Sequence, residues 1–424
     1  MSERRLKILT VLPYLPEPPD NGGKTRSLNL IKHLSRTDDI DLVSFVRDDD
    51  EARHAAALRP FCREVHVVQR NPARSPRIIL RHVFSKRTFY EEVYWRRSTA
   101  ELLQSLIAAH NYDVIHLECS YLAAYLGHLP RGRRFLLDPN IEYRIFERYR
   151  GAATNPLFRF LLGLEARRVR QSERRAWLEA DVCGTVSEVD RDEILRVAPG
   201  KTVWVIPNGV DCPVESADPA GAEPHQLLLT GNFTYFANLD AASYLAREIL
   251  PRIRTEVPDA ELHFVGRGAA AKLAELTGQA GVKVTDWVPD FAPYFERAAV
   301  YACPLRIGSG TKLKMLEAMA GSKAIVATSV AAEGLAVRNG EHALIADTAQ
   351  GFADAVCRLL NDAGLRRKLG SAAYALARSE YAWDSIAAKL RRAYLSMVGV
   401  SAKGDSEGRA AKEENDPGQL EPRA

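Results

Sequence analysis

A chain of 424 residues that is 46% hydrophobic and 26% charged is long enough for two domains, each burying its own core, and no window approaches the roughly 18 to 20 apolar residues of a membrane span. The formal net charge of +4 is too mild for a nucleic-acid-binding surface. The cysteines Cys62, Cys119, Cys183, Cys212, Cys303 and Cys357 are scattered without a Cys-x-x-Cys pair, which fits a reduced cytoplasm and argues against zinc.

The start, MSERRLKILTVLPYL, sets basic residues before an apolar run, but Pro13, Pro16, Pro18 and Pro19 cut that run short and no small-residue cleavage site follows. It reads as a first strand rather than a signal peptide. Alternation then predicts a strand from Lys7 to Leu12 and a helix from about Thr25 to Leu34. Further strands fall at Asp41 to Phe45, Glu64 to Val68, Val114 to Leu117, Phe135 to Asp138, Val182 to Val186 and Val203 to Ile206. Helical patterns between most of them make a doubly wound parallel sheet. The stretch Arg70 to Arg97 mixes basic residues with Ile78, Ile79, Leu80, Phe84, Phe89 and Trp95. That composition fits contact with anionic lipid, and equally a polar helix whose apolar side packs inward. Asn155 to Ala180 is a long basic helix pattern open to the same two readings.

Residues 212 to 226, CPVESADPAGAEPHQ, lack periodicity and read as a linker. After them a second alternating series runs from the strand Leu227 to Thr230 to a helix ending near Leu376. The division is therefore 1–211, an N-terminal Rossmann-like domain; 212–226, a linker; 227–380, a second Rossmann-like domain; 381–398, a last helix; and 399–424, a low-complexity tail expected to be disordered. The fold class is α/β.

Within the second domain, Pro304 to Ala320 reads PLRIGSGTKLKMLEAMA. A strand leads into Gly308 and Gly310, which let backbone approach a ligand, and Thr311 is a candidate cap for a helix from Lys312. Lys314 and Glu317 share a face of that helix, while Leu313, Leu316 and Ala320 form an adjoining packing stripe. The unit fits a nucleotide-diphosphate cradle; an ordinary βα turn with solvated lysines is the alternative. Two decoys fall away. Gly22-Gly23-Lys24-Thr25 lacks a P-loop's leading glycine, since position 18 is proline, and Gly308-x-Gly310 lacks the third glycine of a dinucleotide fingerprint, since position 313 is leucine. Gly22 and Gly23 still sit where a βα turn could admit a ligand oxygen, or serve as a tight turn only. His116 and Glu118 point the same way at the end of one strand. Asp138, Asn140, Glu142 and Arg144 follow another strand toward the same cleft, with helix capping as the alternative for Asp138 or Asn140. Histidines and acids do not gather with metal-ligand spacing.

The Gly22-Gly23 loop, Asp113-Val114-Ile115-His116, Thr185-Val186-Ser187-Glu188, Ile206-Pro207-Asn208-Gly209-Val210-Asp211, His263-Phe264-Val265-Gly266 and the 304–320 stretch occur in one order along nearly the whole chain. In this the sequence resembles the family-4 glycosyltransferases, retaining enzymes of the two-domain GT-B fold that use nucleotide-sugar donors. The resemblance implies that Glu317 takes the ribose hydroxyls and that Gly308, Ser309 and Gly310, with Thr311, lie against the diphosphate or donor sugar. It also implies that Gly231 and Asn232 border the donor, that His116 stands near the reacting sugar, and that the last helix crosses back to the first domain. The acceptor would meet Gly22, Gly23, Glu118, Asn140 and Glu142.

Two departures stand out. Position 309 is serine where many members carry a glutamate for the donor sugar, and Asn232, Ala237 and Asn238 occupy the region of a diphosphate-clamping arginine and lysine. Lys312 and Arg306 are the first candidates to replace that charge, then Lys314 and Arg267. The implied partners are a nucleotide-sugar donor and a glycan or lipid-linked acceptor, at the inner face of an anionic membrane, with no metal and no separate cofactor. A nucleotide-sugar 2-epimerase or an inactive sugar-nucleotide-binding scaffold are the rival readings.

Overall fold

The structure, a computed structural model, describes residues 4–73, 75–85, 87–213, 223–308 and 311–399. Its first sheet contains β1 (Lys7–Leu12), β2 (Asp39–Val46), β3 (Glu64–Gln69), β4 (Val114–Glu118), β5 (Arg134–Asp138), β6 (Val182–Thr185) and β7 (Val203–Val205). All pair in parallel, in the order β3-β2-β1-β4-β5-β6-β7. The second contains β8 (Glu223–Thr230), β9 (Glu261–Val265), β10 (Val282–Thr285), β11 (Ala298–Cys303), β12 (Ala324–Ala327) and β13 (Leu344–Ile345), in the order β10-β9-β8-β11-β12-β13, again parallel. In each sheet the order reverses beside the first strand, between β1 and β4 and between β8 and β11. At such a switch point the connections leave to opposite sides and open a crevice at the strand ends. The strands are nearly continuous apolar runs because helices cover both faces; β11, for instance, is buried at every residue.

The helices that bear on function are α1 (Gly22–Leu34), α2 (Pro76–Phe84), α3 (Glu142–Ala152), α4 (Pro156–Glu179), α5 (Phe236–Tyr244), α6 (Leu313–Ala320) and α7 (Trp383–Met397). Trp383, Ile386, Leu390 and Tyr394 of α7 share a core with Leu28, Ile31 and Leu34 of α1, and Arg391 pairs with Asp38 at 2.9 Å. The last helix thus packs on the first sheet's domain. The two strands of chain that pass between domains run side by side: Val210 N donates to Tyr381 O at 2.8 Å, and a Cβ on Gly209 would lie 2.3 Å from the Trp383 ring.

Several sequence boundaries move. α1 begins at Gly22 rather than near Thr25, because the Asn21 side chain accepts from Lys24 N at 3.1 Å and caps a turn earlier; Gly22 and Gly23 are first-turn residues, not a loop. Residues 223–226, assigned to the linker, belong to β8, which Glu261 of β9 extends by pairing with Gln226. The rest of the linker from 214, and the tail from 400, lie outside the described residues. Thr311 does not cap: Lys312 holds the N-cap position of α6 without a side-chain bond.

Candidate active site at the interdomain cleft

The strand ends beside the second switch point are built around backbone. Gly266, after β9, has φ of +142°, and a Cβ there would stand 2.0 Å from Gly231 O, so two chain segments meet that only glycine lets approach. A Cβ on Gly231 would in turn lie 2.8 Å from Lys314 Nζ. The ammonium group of Lys314 therefore sits over the end of β8, in the crevice itself. It donates to Asn238 Oδ1 at 2.6 Å, and Asn238 Nδ2 donates to Asn232 O at 2.7 Å. Asn232 spends its own Oδ1 on Thr234 N and Oγ1, at 3.0 and 2.7 Å, shaping the turn into α5. Burial lowers the Lys314 pKa, with Glu317 among the opposing influences. Glu317, one turn along α6, is exposed, yet the protein packed around it raises its carboxyl pKa against the pull of Lys314.

Lys312 is buried, its Nζ 3.8 Å from Glu333 Oε2; burial lowers its pKa and Glu333 opposes. Thr311 Oγ1 accepts from Asn208 Nδ2 at 2.8 Å, which ties the start of α6 to the interdomain segment. Ser309 and Gly310 lie outside the described residues. A cavity of about 750 Å³ opens between the domains, walled by Ile145, Arg148 and Tyr149 of α3 on one side. Tyr235, Phe236, Ala237, Arg306, Ile307, Gly308, Ser329, Val330 and Glu333 form the other.

Two of the predicted cations are committed elsewhere. Arg306 makes a forked pair with Asp240, at 3.0 and 2.6 Å, and lies 4.2 Å over the Tyr244 ring, so its charge is already answered. Arg267 reaches across the domains to Asp20 at 3.3 Å and acts as a half-exposed closing contact. Lys314, ranked behind Arg306 on sequence grounds, stands at the end of β8.

The first domain's switch point is filled with its own side chains. Glu118 at the end of β4 is buried, accepting from Tyr14 OH at 3.0 Å and from Ser27 Oγ at 2.9 Å. Arg26, also buried, donates to Ile206 O at 2.8 Å and to Asn208 Oδ1 at 3.1 Å. His116 faces inward, 2.5 Å from Tyr394 OH of α7 and packed on Phe135. Burial, with Arg26 nearby, takes its pKa down to about 3, so it is neutral and turned away from the cleft. Strand alternation did put His116 and Glu118 on one face; that face is the one α1 and α7 cover. Glu142 is likewise interior: its N–H donates to Glu173 Oε1 at 2.7 Å. Burial first, and Asp138 next to it, push its pKa up to about 7, against its bonds to Tyr121 and Asn140. Asp138 is held by Trp177 Nε1 at 2.8 Å and Ser120 N at 2.6 Å, and Arg144 pairs with Glu193. These side chains, read as facing the acceptor, are engaged by partners of their own domain. Gly22 reaches the domain boundary, where a Cβ on it would touch Leu313 Cδ1 at 2.9 Å, while one on Gly23 would touch Tyr14 OH of its own domain at 2.8 Å.

Two family models divide the chain in the same way as its domains. Residues 20–213 match the one described as Glycosyltransferase Family 4, and residues 224–362 the one described as Glycosyl transferases group 1. The chain belongs to these glycosyltransferases. The phosphatidyl-myo-inositol mannosyltransferase of Mycobacterium tuberculosis is 31% identical over 169 residues, 37% of this chain and 44% of that protein, so the match spans under half of the relative. Among solved structures, sucrose-phosphate synthase from Thermosynechococcus elongatus superposes with a TM-score of 0.66 at 17% identity, over 94% of this chain and 100% of that one. Anabaena Alr3699/HepE, solved with UDP-glucose, gives 0.62 at 15% identity over 92% and 100%. These likenesses make the architecture GT-B.

Sequence reasoning missed several residues that line this glycosyltransferase's cleft: Tyr235 and Phe236, Ser329, Glu333 and, from the first domain, Ile145, Arg148 and Tyr149. Ser329 and Glu333 follow the end of β12, and the strand-end rule could have flagged them. The α3 residues join the site only when the two domains face each other.

Proposed function

We propose that this glycosyltransferase binds a nucleoside-diphosphate sugar on its second domain and moves the sugar, with retention of configuration and without a metal ion, to a hydroxyl of a glycan or lipid-linked acceptor. The reading rests on the ammonium of Lys314 standing over the end of β8 one turn from Glu317. A carboxylate accepts from two vicinal hydroxyls at once, which suits ribose at Glu317. As the glycosidic bond breaks, negative charge grows on the diphosphate; Lys314, Lys312 and the positive N-terminal end of α6 stabilise it. The acceptor hydroxyl attacks from the face the diphosphate leaves and passes its proton to a diphosphate oxygen. His116, buried and neutral, has no part in that transfer. Incubation with a panel of UDP-, GDP- and ADP-sugars, scored by release of the free diphosphate, tests this. One donor is turned over, and Glu317→Ala lowers kcat/KM for it at least about 30-fold; turnover of none, or an unaffected variant, sinks the reading.

The same proposal places the enzyme against the cytoplasmic face of an anionic membrane, in surface-polysaccharide or glycolipid assembly. Its support is one apolar face on the first domain. Leu80, Val83 and Phe84 of α2 and Leu157, Phe158 and Phe160 of α4 are each more than half exposed. His82 and Glu165 join the two helices at 3.1 Å, and Arg77, Arg81 and Arg159 lie on them. Apolar side chains set among arginines match the boundary of an anionic bilayer. Co-sedimentation with phosphatidylglycerol vesicles is expected to fall at least about fivefold in a Phe84→Glu, Leu157→Glu double variant and to weaken with salt. Equal sedimentation of variant and wild type would remove the membrane from the proposal.

A further inference from the structure

The turn after β12 is held in place from both domains. Thr328 Oγ1 accepts from Ala331 N at 3.2 Å and starts the short helix Ser329–Ala332. Gly334 then takes φ of +79°, and a Cβ on it would come within 3.1 Å of Thr311 Cγ2 and 3.2 Å of Ser187 Cβ. A side chain at 334 would be strained and crowded, so the chain is pinned between the donor turn and the first domain. Between these two fixed points stands Glu333.

Its side chain lines the 750 Å³ cavity and is the one carboxylate among the described residues that do. Much of the surrounding wall is apolar or aromatic: Ile145, Tyr149, Phe236, Ile307 and Val330. The distance from Glu333 Oε2 to Lys312 Nζ, 3.8 Å, exceeds a hydrogen bond, so the carboxylate keeps its capacity to accept from a ligand while Lys312 offsets its charge. A sugar ring fits these surroundings, since its hydroxyls at the rim donate in pairs to a carboxylate and its C–H faces rest on aromatic and aliphatic side chains. Lys312 ties Glu333 to the phosphate end: the same turn that presents Lys312 to the diphosphate carries Gly308, whose added Cβ would lie 3.0 Å from Lys312 Cε.

We propose that Glu333 binds hydroxyls of the sugar being transferred and is the residue by which this enzyme selects its donor sugar. This rests on the donor-binding reading above and adds to it the carboxylate that position 309 lacks. Glu333 sits 16 residues beyond Glu317 in the chain and reaches the site from a different strand end.

Titration calorimetry of the full chain with UDP and UDP-glucose, GDP and GDP-mannose, and ADP and ADP-glucose tests the assignment. For whichever pair the wild type binds, Glu333→Ala and Glu333→Gln leave the Kd of the parent diphosphate within about threefold. They raise the Kd of the sugar nucleotide by roughly tenfold or more, the scale of a lost hydrogen bond to a charged group. The isosteric glutamine variant carries the test if the alanine variant does not fold. A wild-type ratio of the two Kd values preserved in a folded variant overturns the proposal, as does equal weakening of both ligands, which would make Glu333 only a counter-charge to Lys312. If the wild type binds no member of any pair, the donor reading itself falls and this inference with it.

Discussion

The two switch points share a strand order and differ in what occupies them. Between β1 and β4 the crevice is taken up by Tyr14, Ser27, Glu118 and the buried guanidinium of Arg26, and α7 closes it with Tyr394 against His116. Beside the second switch point the ends of β8 and β9 carry Gly231 and Gly266, so backbone and the Lys314 ammonium stand at the strand ends instead. Topology offers a binding crevice twice; side-chain volume at the strand ends decides which one stays available. In this glycosyltransferase the first crevice has become a strut for the interdomain segment, through the bonds from Arg26 to Ile206 O and Asn208 Oδ1.

Breaking each half of that comparison should cost a different property. Lys314→Met is expected to lower kcat/KM for the donor about 100-fold or more, the usual scale for removing one preorganised charge at a leaving group, with its urea midpoint little changed; a loss under about threefold would move the diphosphate elsewhere. Arg26→Met should act on stability. It strips hydrogen bonds from three acceptors of the interdomain segment, Ile206 O, Pro207 O and Asn208 Oδ1, and leaves Glu118 without its nearby positive charge, a loss of about 3 to 5 kcal/mol in urea unfolding; an unchanged midpoint would mean the first crevice is no strut. The smallest effect belongs to Arg306→Met. Its guanidinium is engaged by Asp240 at the surface, so kcat/KM should fall by less than about threefold, and a loss approaching that of Lys314→Met would return it to the diphosphate.

Much of the frame could be read from the chain because period and punctuation encode it. Strands such as Glu261–Val265 and Val282–Thr285 fall where β-branched and apolar runs predict them, and the resemblance to glycosyltransferases lay in motifs spread over both domains. The site was legible in part. Lys314 and Glu317 share a helix face by spacing alone, but which of four cations enters the crevice depends on partners distant in sequence. Asp240 engages Arg306 from 66 residues away in the chain, and Asp20 engages Arg267 from 247 residues away. His116 shows the same limit. Alternation fixes which sheet face a strand residue takes, but not that a helix from the C-terminal end, Trp383–Met397, will cover that face.

Local order therefore belonged to the sequence by itself: the alternation of strand and helix, two Rossmann-like halves, the glycine turn at 308, and the lysine and glutamate one turn apart beyond it. These follow from backbone preference and side-chain periodicity within a dozen residues. Only the tertiary structure decided that side chains fill the first crevice, that Lys314 stands at the end of β8 while Arg306 is forked to Asp240, and that Glu333 faces the same cavity as α3. Burial, pairing and neutralisation of charge are set by residues brought together from hundreds of positions apart, and no local pattern records them.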